Sequence, residues 1–468
     1  MSDARAKFLT GSLFRHVTVM SLTSSVGLLA IFAVDFIDMI FIAMLGKAEL
    51  AAAVGYAATI LFFTTSFGIG LAIAAGALVA RALGAGDAAL AAERRTHSLL
   101  YGVLLSLGFA ALTWVFLPQL VSLLGATGEV AELAVGYLRI VVPSLPLLVI
   151  GMMAGAILRA HGDARRSMMA TIWGGVTNAV LDPVLIFGLG LDLTGAALAS
   201  VAARVVIAGT AMVPIMRHYG GVGRPTAAGM LRDLVPLAAI GLPAILTQLA
   251  TPAGQAIVTR AMAVYGEAAV AGMAITGRLS MLSFAVIFAL SGAVGPILGQ
   301  NFGARDFERV RAGFRAALLF TGIVVVTVSA LLFVLRAPIA GLFAAQGITR
   351  ELVYLFCGPL SLLFFFNGVL FVANAGFNNL GHPFWSTFLN WGRNTVGMLP
   401  LVWLGSATLG ASGVLIGQAA AGVIFGLLAW GLARRVMQTP DEVPEGMASE
   451  YSEIGRQGRL MALLHLRR

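Results

Sequence analysis

Twelve apolar runs dominate this sequence, at about 17–45, 51–81, 97–124, 131–158, 165–190, 194–216, 235–264, 268–300, 311–345, 352–380, 384–408 and 411–435. Each is as long as, or longer than, the ~20 residues an α-helix needs to cross the ~30 Å hydrocarbon core of a bilayer. Inside that core the backbone must satisfy its own polar groups, which a helix does. Only 11% of the residues are charged, against about 25% in ordinary soluble domains. That is too little to cover the surface of a soluble multidomain enzyme, and such apolarity excludes a disordered chain. The expectation is an all-α integral membrane protein with twelve transmembrane helices. Pro143, Pro146, Pro183, Pro243, Pro252, Pro359 and Pro400 fall inside the runs and mark expected bends.

The net charge of +9 does not indicate nucleic-acid binding. Lys7 and Lys47 are the only lysines among 30 basic residues, and the arginines sit between apolar runs, as topology signals do. Arg81, Arg94 and Arg95, then Arg159, Arg165 and Arg166, then Arg217, Arg224 and Arg232, then Arg305, Arg309, Arg311 and Arg315, and finally Arg434 and Arg435 fall on alternate loops and the C-terminal segment. The intervening loops, around Lys47, Glu129, Asp192, Glu267 and Ser406, are nearly free of arginine; the ninth, with Arg336 and Arg350, is the exception. Positive-inside counting puts both termini in the cytoplasm, for a multi-pass protein of the bacterial plasma (inner) membrane surrounded by lipid. The basic N-terminal stretch enters an apolar run too long for a cleavable signal, so the first span is read as retained. The single Cys357 rules out an intrachain disulfide.

The sequence repeats itself. Ala-Leu-Gly84-Ala-Gly-Asp87 follows the second run and Gln300-Asn-Phe-Gly303-Ala-Arg-Asp306 follows the eighth, 219 positions later. Arg-Ala-His-Gly162-Asp after the fourth run and Asn-Asn-Leu-Gly381-His after the tenth share that offset. Two matches at one spacing indicate two six-helix bundles related by a pseudo-two-fold axis along the membrane normal, with a cavity between them near the midplane, as in alternating-access carriers. The expected division is an N-terminal segment over 1–16, bundles over 17–216 and 235–435, a linker over 217–234, and a polar tail over 436–468 with a short helix near 453–465. One chain then completes the cleft, so it is expected to work as a monomer.

Three carboxylates lie inside the first bundle: Asp35 and Asp38 in the first run, and Asp182 in the fifth. A charged side chain at a helix centre costs about 2.5–3.5 kcal/mol on insertion scales. Asn178 lies one turn before Asp182, and Pro183 after it frees a backbone carbonyl. Low dielectric and a neighbouring carboxylate both favour the protonated form. If the two helices meet, Asp38, Asn178 and Asp182 make a protonatable site, with Asp35 as a fourth candidate. The alternative is neutralisation by an intramembrane arginine such as Arg204. No Asp or Glu occurs over 235–264, 268–305 or 352–440, which places the ion chemistry in the first bundle. The second bundle offers Gln248, Gln255, Asn367, Asn374 and Asn394; the first four are the candidates for substrate binding. Arg278 and Arg393 are read as snorkelling to an interface, and Met152 and Met153 as packing. None of the six histidines is placed for a buried relay. No Walker loop, zinc-ligand spacing or catalytic triad is found, and neither enzyme activity nor a metal or cofactor is expected.

The run Ile-Asp38-Met-Ile-Phe-Ile-Ala-Met-Leu-Gly46, the run Asn178-Ala-Val-Leu-Asp182-Pro183-Val-Leu-Ile-Phe-Gly, and the two Gly/Asp loops together resemble the multidrug and toxic compound extrusion (MATE) family, most closely its DinF-like branch. The resemblance covers about residues 12–435. It implies two six-helix bundles around a V-shaped cleft, and export of organic, often cationic compounds in exchange for protons or sodium ions. In the DinF-like branch it implies coupling through the positions of Asp38, Asn178 and Asp182. Other members use a glutamate in the seventh span and an aspartate in the tenth as a cation site, and this sequence has neither. The expected activity is efflux of an organic, cationic or amphipathic small molecule coupled to H+, with Na+ at the same cluster as the alternative. A lipid-linked precursor flippase, which calls for extra spans and a strongly basic cavity, and a non-transporting receptor are less favoured.

Overall fold

The computed structural model describes residues 6–45 and 47–438, and the helix expected near 453–465 lies outside them. Described residues form helices and no strand. Eleven continuous stretches are long and apolar enough to span a bilayer. They define α1 (Leu13–Ile42), α2 (Glu49–Gly84), α3 (Ala88–Val115), α4 (Gly128–Ala160), α5 (Ala164–Gly188), α6 (Asp192–His218), α7 (Ala227–Ala263), α9 (Phe307–Leu342) and α10 (Gly347–Asn379). Between α7 and α9, α8 is built from Glu267–Ser283 and Ala285–Gly303, joined at the buried Phe284.

The eleventh stretch, Pro383–Gln438, holds two passes. Gly410 has φ 61° and ψ −141°, which breaks the helix. Beyond it Gly413 lies against the backbone of Gly405, and Gly417 against that of Leu401. Pairs that close inward on one residue are the signature of a hairpin, so 383–409 is α11 and 411–438 is α12. Twelve crossings result, as the apolar runs predict. The linker before α7 is shorter than expected, because α6 runs to His218 and α7 starts at Ala227.

Several helix starts are fixed by capping side chains. Asp87, Asp163, Thr226 and Asp306 accept hydrogen bonds from the backbone N–H of Leu90, Arg166, Gly229 and Arg309, which satisfies one of the free donors of the first turn. Asp87 and Asp306 are the 219-spaced aspartates, so their recurrence has a structural cause. The residue before each, Gly86 (φ 77°) and Arg305 (φ 59°), takes the left-handed conformation that ends the preceding helix. Replacing Asp87 with Ala should lower stability by about 0.5–2 kcal/mol, read as a fall in the Tm of the purified protein; an unchanged Tm would remove the cap from this account.

The prolines act unequally. Pro183 precedes a widened π turn over Val184–Gly188, and Pro359 lies in another over Phe356–Leu360. Pro243 stays inside a continuous α7, where its carbonyl accepts from the Thr247 and Thr387 hydroxyls.

The two halves meet most closely at the arginine-rich end. Arg81 of α2 donates from Nε and Nη2 to the carbonyls of Asn379 (2.9 Å) and Asn378 (2.7 Å) at the end of α10. Gln300 of α8 donates from Nε2 to the carbonyl of Ala160 (2.8 Å) at the end of α4. Arg81 and Gln300 are 219 apart, as are Ala160 and Asn379, so the seal is reciprocal. Between them Gly84 touches the Gln300 carbonyl and Gly303 the Arg81 carbonyl. The N-terminal segment is part of this seal. Phe8, 1% exposed, donates its N–H to Gln300 Oε1 (2.8 Å), and its carbonyl accepts from Asn301 and Arg309. A further link joins α3 to α7, where buried Asp233 accepts from His97 Nδ1 (2.6 Å) and pairs with Arg94.

Candidate functional site

Two sites follow from this frame. The first lies within the N-terminal bundle, where α1 packs on α5. Asn178 Nδ2 donates to Asp38 Oδ1 (3.0 Å) and Asp182 Oδ2 (2.6 Å). One helical turn separates Asn178 from Asp182, so both face α1. Asp182 is 1% exposed, and its Oδ1 is buried with no hydrogen-bond partner among the described residues. Two carboxyl groups sharing one amide donor repel each other, which favours uptake of a proton or cation.

The structure brings together three of the four expected ion-site residues. Asp35 is exposed on α1 and makes no hydrogen bond or ion pair among the described residues. A spacing of three puts it near Asp38 but does not turn it into the α1–α5 contact. Arg204 does not neutralise the pair. Its Nη1 donates to the Val141 carbonyl (3.0 Å) and Ser144 Oγ (2.9 Å), tying α6 to the bend in α4.

The second site is a cavity of about 710 Å3 between the halves, walled mainly by α2, α4, α5, α7, α8, α10, α11 and α12, with Ile31 of α1 and Ile207 of α6, and ending near the reciprocal seal. Gln248, Gln255, Asn367 and Asn374 all line it, with Asn378, Asn390 and Asn394. Asn367 Oδ1 and Asn374 Oδ1 are buried without partners. Met152, Met281, Phe288, Phe364 and Phe371 supply apolar wall, whereas Met153 is buried in the core against Gly102. Asp38, Asn178 and Asp182 are absent from the lining, so the carboxylate cluster sits apart from the cavity.

Among the described residues the lining carries two charges, both arginines, and no carboxylate. Arg159, at the end of α4, donates to Ser167 Oγ (2.8 Å) and lies against Gly292 of the opposite half. Arg393 stands on a π turn over Gly392–Val396 of α11; its Nε is buried without a partner, and it makes no hydrogen bond or ion pair among the described residues. This corrects two sequence expectations. Arg393 does not snorkel to an interface; Arg278 is exposed and reaches the Met39 sulfur of α1 (3.7 Å). The cavity is basic rather than neutral or acidic, which removes one of the two grounds for disfavouring a flippase; the other, twelve spans, stands. Arg159 was hidden in the sequence as one more basic residue before a polar loop. Arg393 carried a signal, since Asn390, Arg393 and Asn394 share one face of an apolar run.

Paired helical halves, a reciprocal seal at one end, a cavity between them and an intramembrane carboxylate cluster beside it define a membrane carrier. The family MatE matches residues 24–184 and 243–429, and the chain belongs to this multidrug and toxic compound extrusion family of transporters. An FAD transporter of Shewanella oneidensis is 28% identical over 444 residues, covering 93% of this chain and 97% of that one. The multidrug export protein MepA of Staphylococcus aureus is 24% identical over 455 residues, covering 95% and 100%. A MOP-superfamily transporter from Pyrococcus furiosus superposes with a TM-score of 0.86 at 23% identity, covering 94% and 100%, which shows the shared fold.

Proposed function

We propose that this chain exports organic small molecules from the bacterial cytoplasm in exchange for protons, by alternating access, with its arginine-rich end cytoplasmic. The observation that carries the reading is the Asp38–Asn178–Asp182 cluster with its unpartnered, buried Asp182 oxygen. The names of the Shewanella and Staphylococcus relatives, both transporters of organic compounds, support the substrate size class. A cationic substrate finds no counter-charge in the cavity lining.

With the arginine-rich end sealed, the molecule is in its outward-facing state. A proton entering from outside neutralises one carboxyl of the pair. That relieves their mutual repulsion and lets α1 repack on α5. Release of the proton to the cytoplasm restores the paired state. One pH unit of gradient supplies about 1.36 kcal/mol per proton, enough to bias two states of similar energy about tenfold.

Sodium at the same cluster is the second reading. The carboxyl oxygens of Asp38 and Asp182, with the Asn178 amide turned about, would supply oxygen ligands to Na+. Purified protein in liposomes is expected to move substrate under an imposed pH gradient with no sodium present. Movement that requires a sodium gradient would replace the coupling ion and keep the fold.

A further inference from the structure

A guanidinium inside a membrane protein is costly unless something pairs with it. Among the described residues Arg159 has one neutral hydrogen-bond partner, the Ser167 hydroxyl, and Arg393 has none. Both face the same cavity, one from each half, and no carboxylate lines it to answer them. The intramembrane acids Asp38 and Asp182 are engaged with Asn178 outside the lining, and Asp35 is absent from the lining too. Arg204, the other arginine tested as a partner for those acids, is occupied by α4.

We infer that the cavity binds organic anions, with Arg159 and Arg393 holding a carboxylate, sulfonate or phosphate group and the aromatic and methionine walls holding an apolar body. A guanidinium presents a planar fork of donors matched to such groups. The amides of Gln248, Gln255 and Asn390 lie in the same lining and add neutral donors and acceptors. Phe288, Phe364 and Phe371 form a wall suited to a flat or greasy scaffold. The π turn under Arg393 widens the helix at that residue, and such turns recur at functional positions.

This inference names the substrate class of the transporter proposed above and rests on that reading for its role in export, but it is tested without any gradient. Purified protein in an uncharged detergent is titrated into fluorescein, an anion at pH 7.5, and separately into rhodamine 6G, a cation built on the same ring system, and anisotropy is read. Fluorescein is expected to bind at least about tenfold more tightly, as loss of a charge-assisted bond implies. Arg393→Gln and Arg159→Gln should each weaken fluorescein by about tenfold or more, with Arg393→Lys intermediate and rhodamine 6G unaffected. Tighter binding of the cation by the unaltered protein, or fluorescein affinity indifferent to both Gln variants, would overturn the inference. The two-dye comparison on the unaltered protein stands even if a variant fails to fold. Displacement of fluorescein by phosphatidylglycerol, and not by phosphatidylcholine, would identify a lipid headgroup as the source of the anion; lack of displacement would identify a soluble one, and both sustain the binding chemistry. Anion binding without proton-driven export would leave this inference standing and sink the coupling reading, while proton-driven export of cations alone would do the reverse.

Discussion

Asp182→Asn is expected to abolish export driven by a pH gradient while leaving the protein folded and its cavity able to bind. The amide has the shape of the acid, and Asn178 can still hydrogen-bond to its oxygen, so packing of α5 on α1 is retained. What is lost is the group that gains and releases a proton. The buried Oδ1 of Asp182 has no partner among the described residues, so an oxygen is open to a proton. Proteoliposomes carrying the variant should show export at background under an imposed gradient of about two pH units, which for the unaltered protein supplies about 2.7 kcal/mol per proton. Substrate affinity should stay within about threefold, because the cluster lies outside the cavity lining. Asp35→Asn serves as the contrast. That side chain is exposed and unpaired, and its loss should change export by less than about twofold. Gradient-driven export by Asp182→Asn at the normal rate would end the proton-relay account, and an equally severe loss in Asp35→Asn would move the relay along α1.

Much of the architecture was legible in the sequence because a bilayer reduces the problem to span length and loop charge. Twelve runs and one recurring offset led to twelve crossings and two halves. The aspartates and asparagine of the first bundle stood out because a carboxylate in an apolar run is expensive. What could not be read was direction. Asp35 and Asp38 share a helical face by spacing, yet one meets α5 and the other does not. Arg159 sits in the last turn of α4 beside Arg165 and Arg166 in sequence, and nothing local separates the arginine that turns into the cavity from those that mark topology. The N-terminal segment was equally opaque. Phe8 is one aromatic residue in a polar stretch, and its burial depends on a groove that exists only when α4 and α8 are brought together. The repeat motif also had two causes folded into one signal. Its aspartates are helix caps, while its glycines are where the two halves touch.

Those glycines carry the second large effect. A β-carbon at Gly84 would run into the Gln300 carbonyl, and one at Gly303 into the Arg81 carbonyl. Both obstacles are backbone, which cannot rotate aside as a flexible side chain can. Gly84→Ala should therefore destabilise the sealed state alone, since the clash vanishes once the halves separate at that end. Overpacking of this kind costs about 1–3 kcal/mol, and a difference of that size between two states shifts their ratio about 5- to 150-fold. Spin labels at Ala89→Cys and Phe384→Cys, exposed positions on opposite halves at the arginine-rich end, report the separation in a Cys357→Ser background. The unaltered protein should show a short distance, Gly84→Ala a population at longer distance, and Gly84→Ala with Gly303→Ala a larger one. Gly108→Ala, where an added methyl meets nothing within 4 Å, should leave the distribution unchanged. A Gly84→Ala distribution identical to the parent would mean that the contact between α2 and α8 yields locally and does not set the balance between the two states. A shift confined to Gly84→Ala and absent from Gly303→Ala would show that the seal, reciprocal in its hydrogen bonds, is carried energetically by the half that holds Arg81.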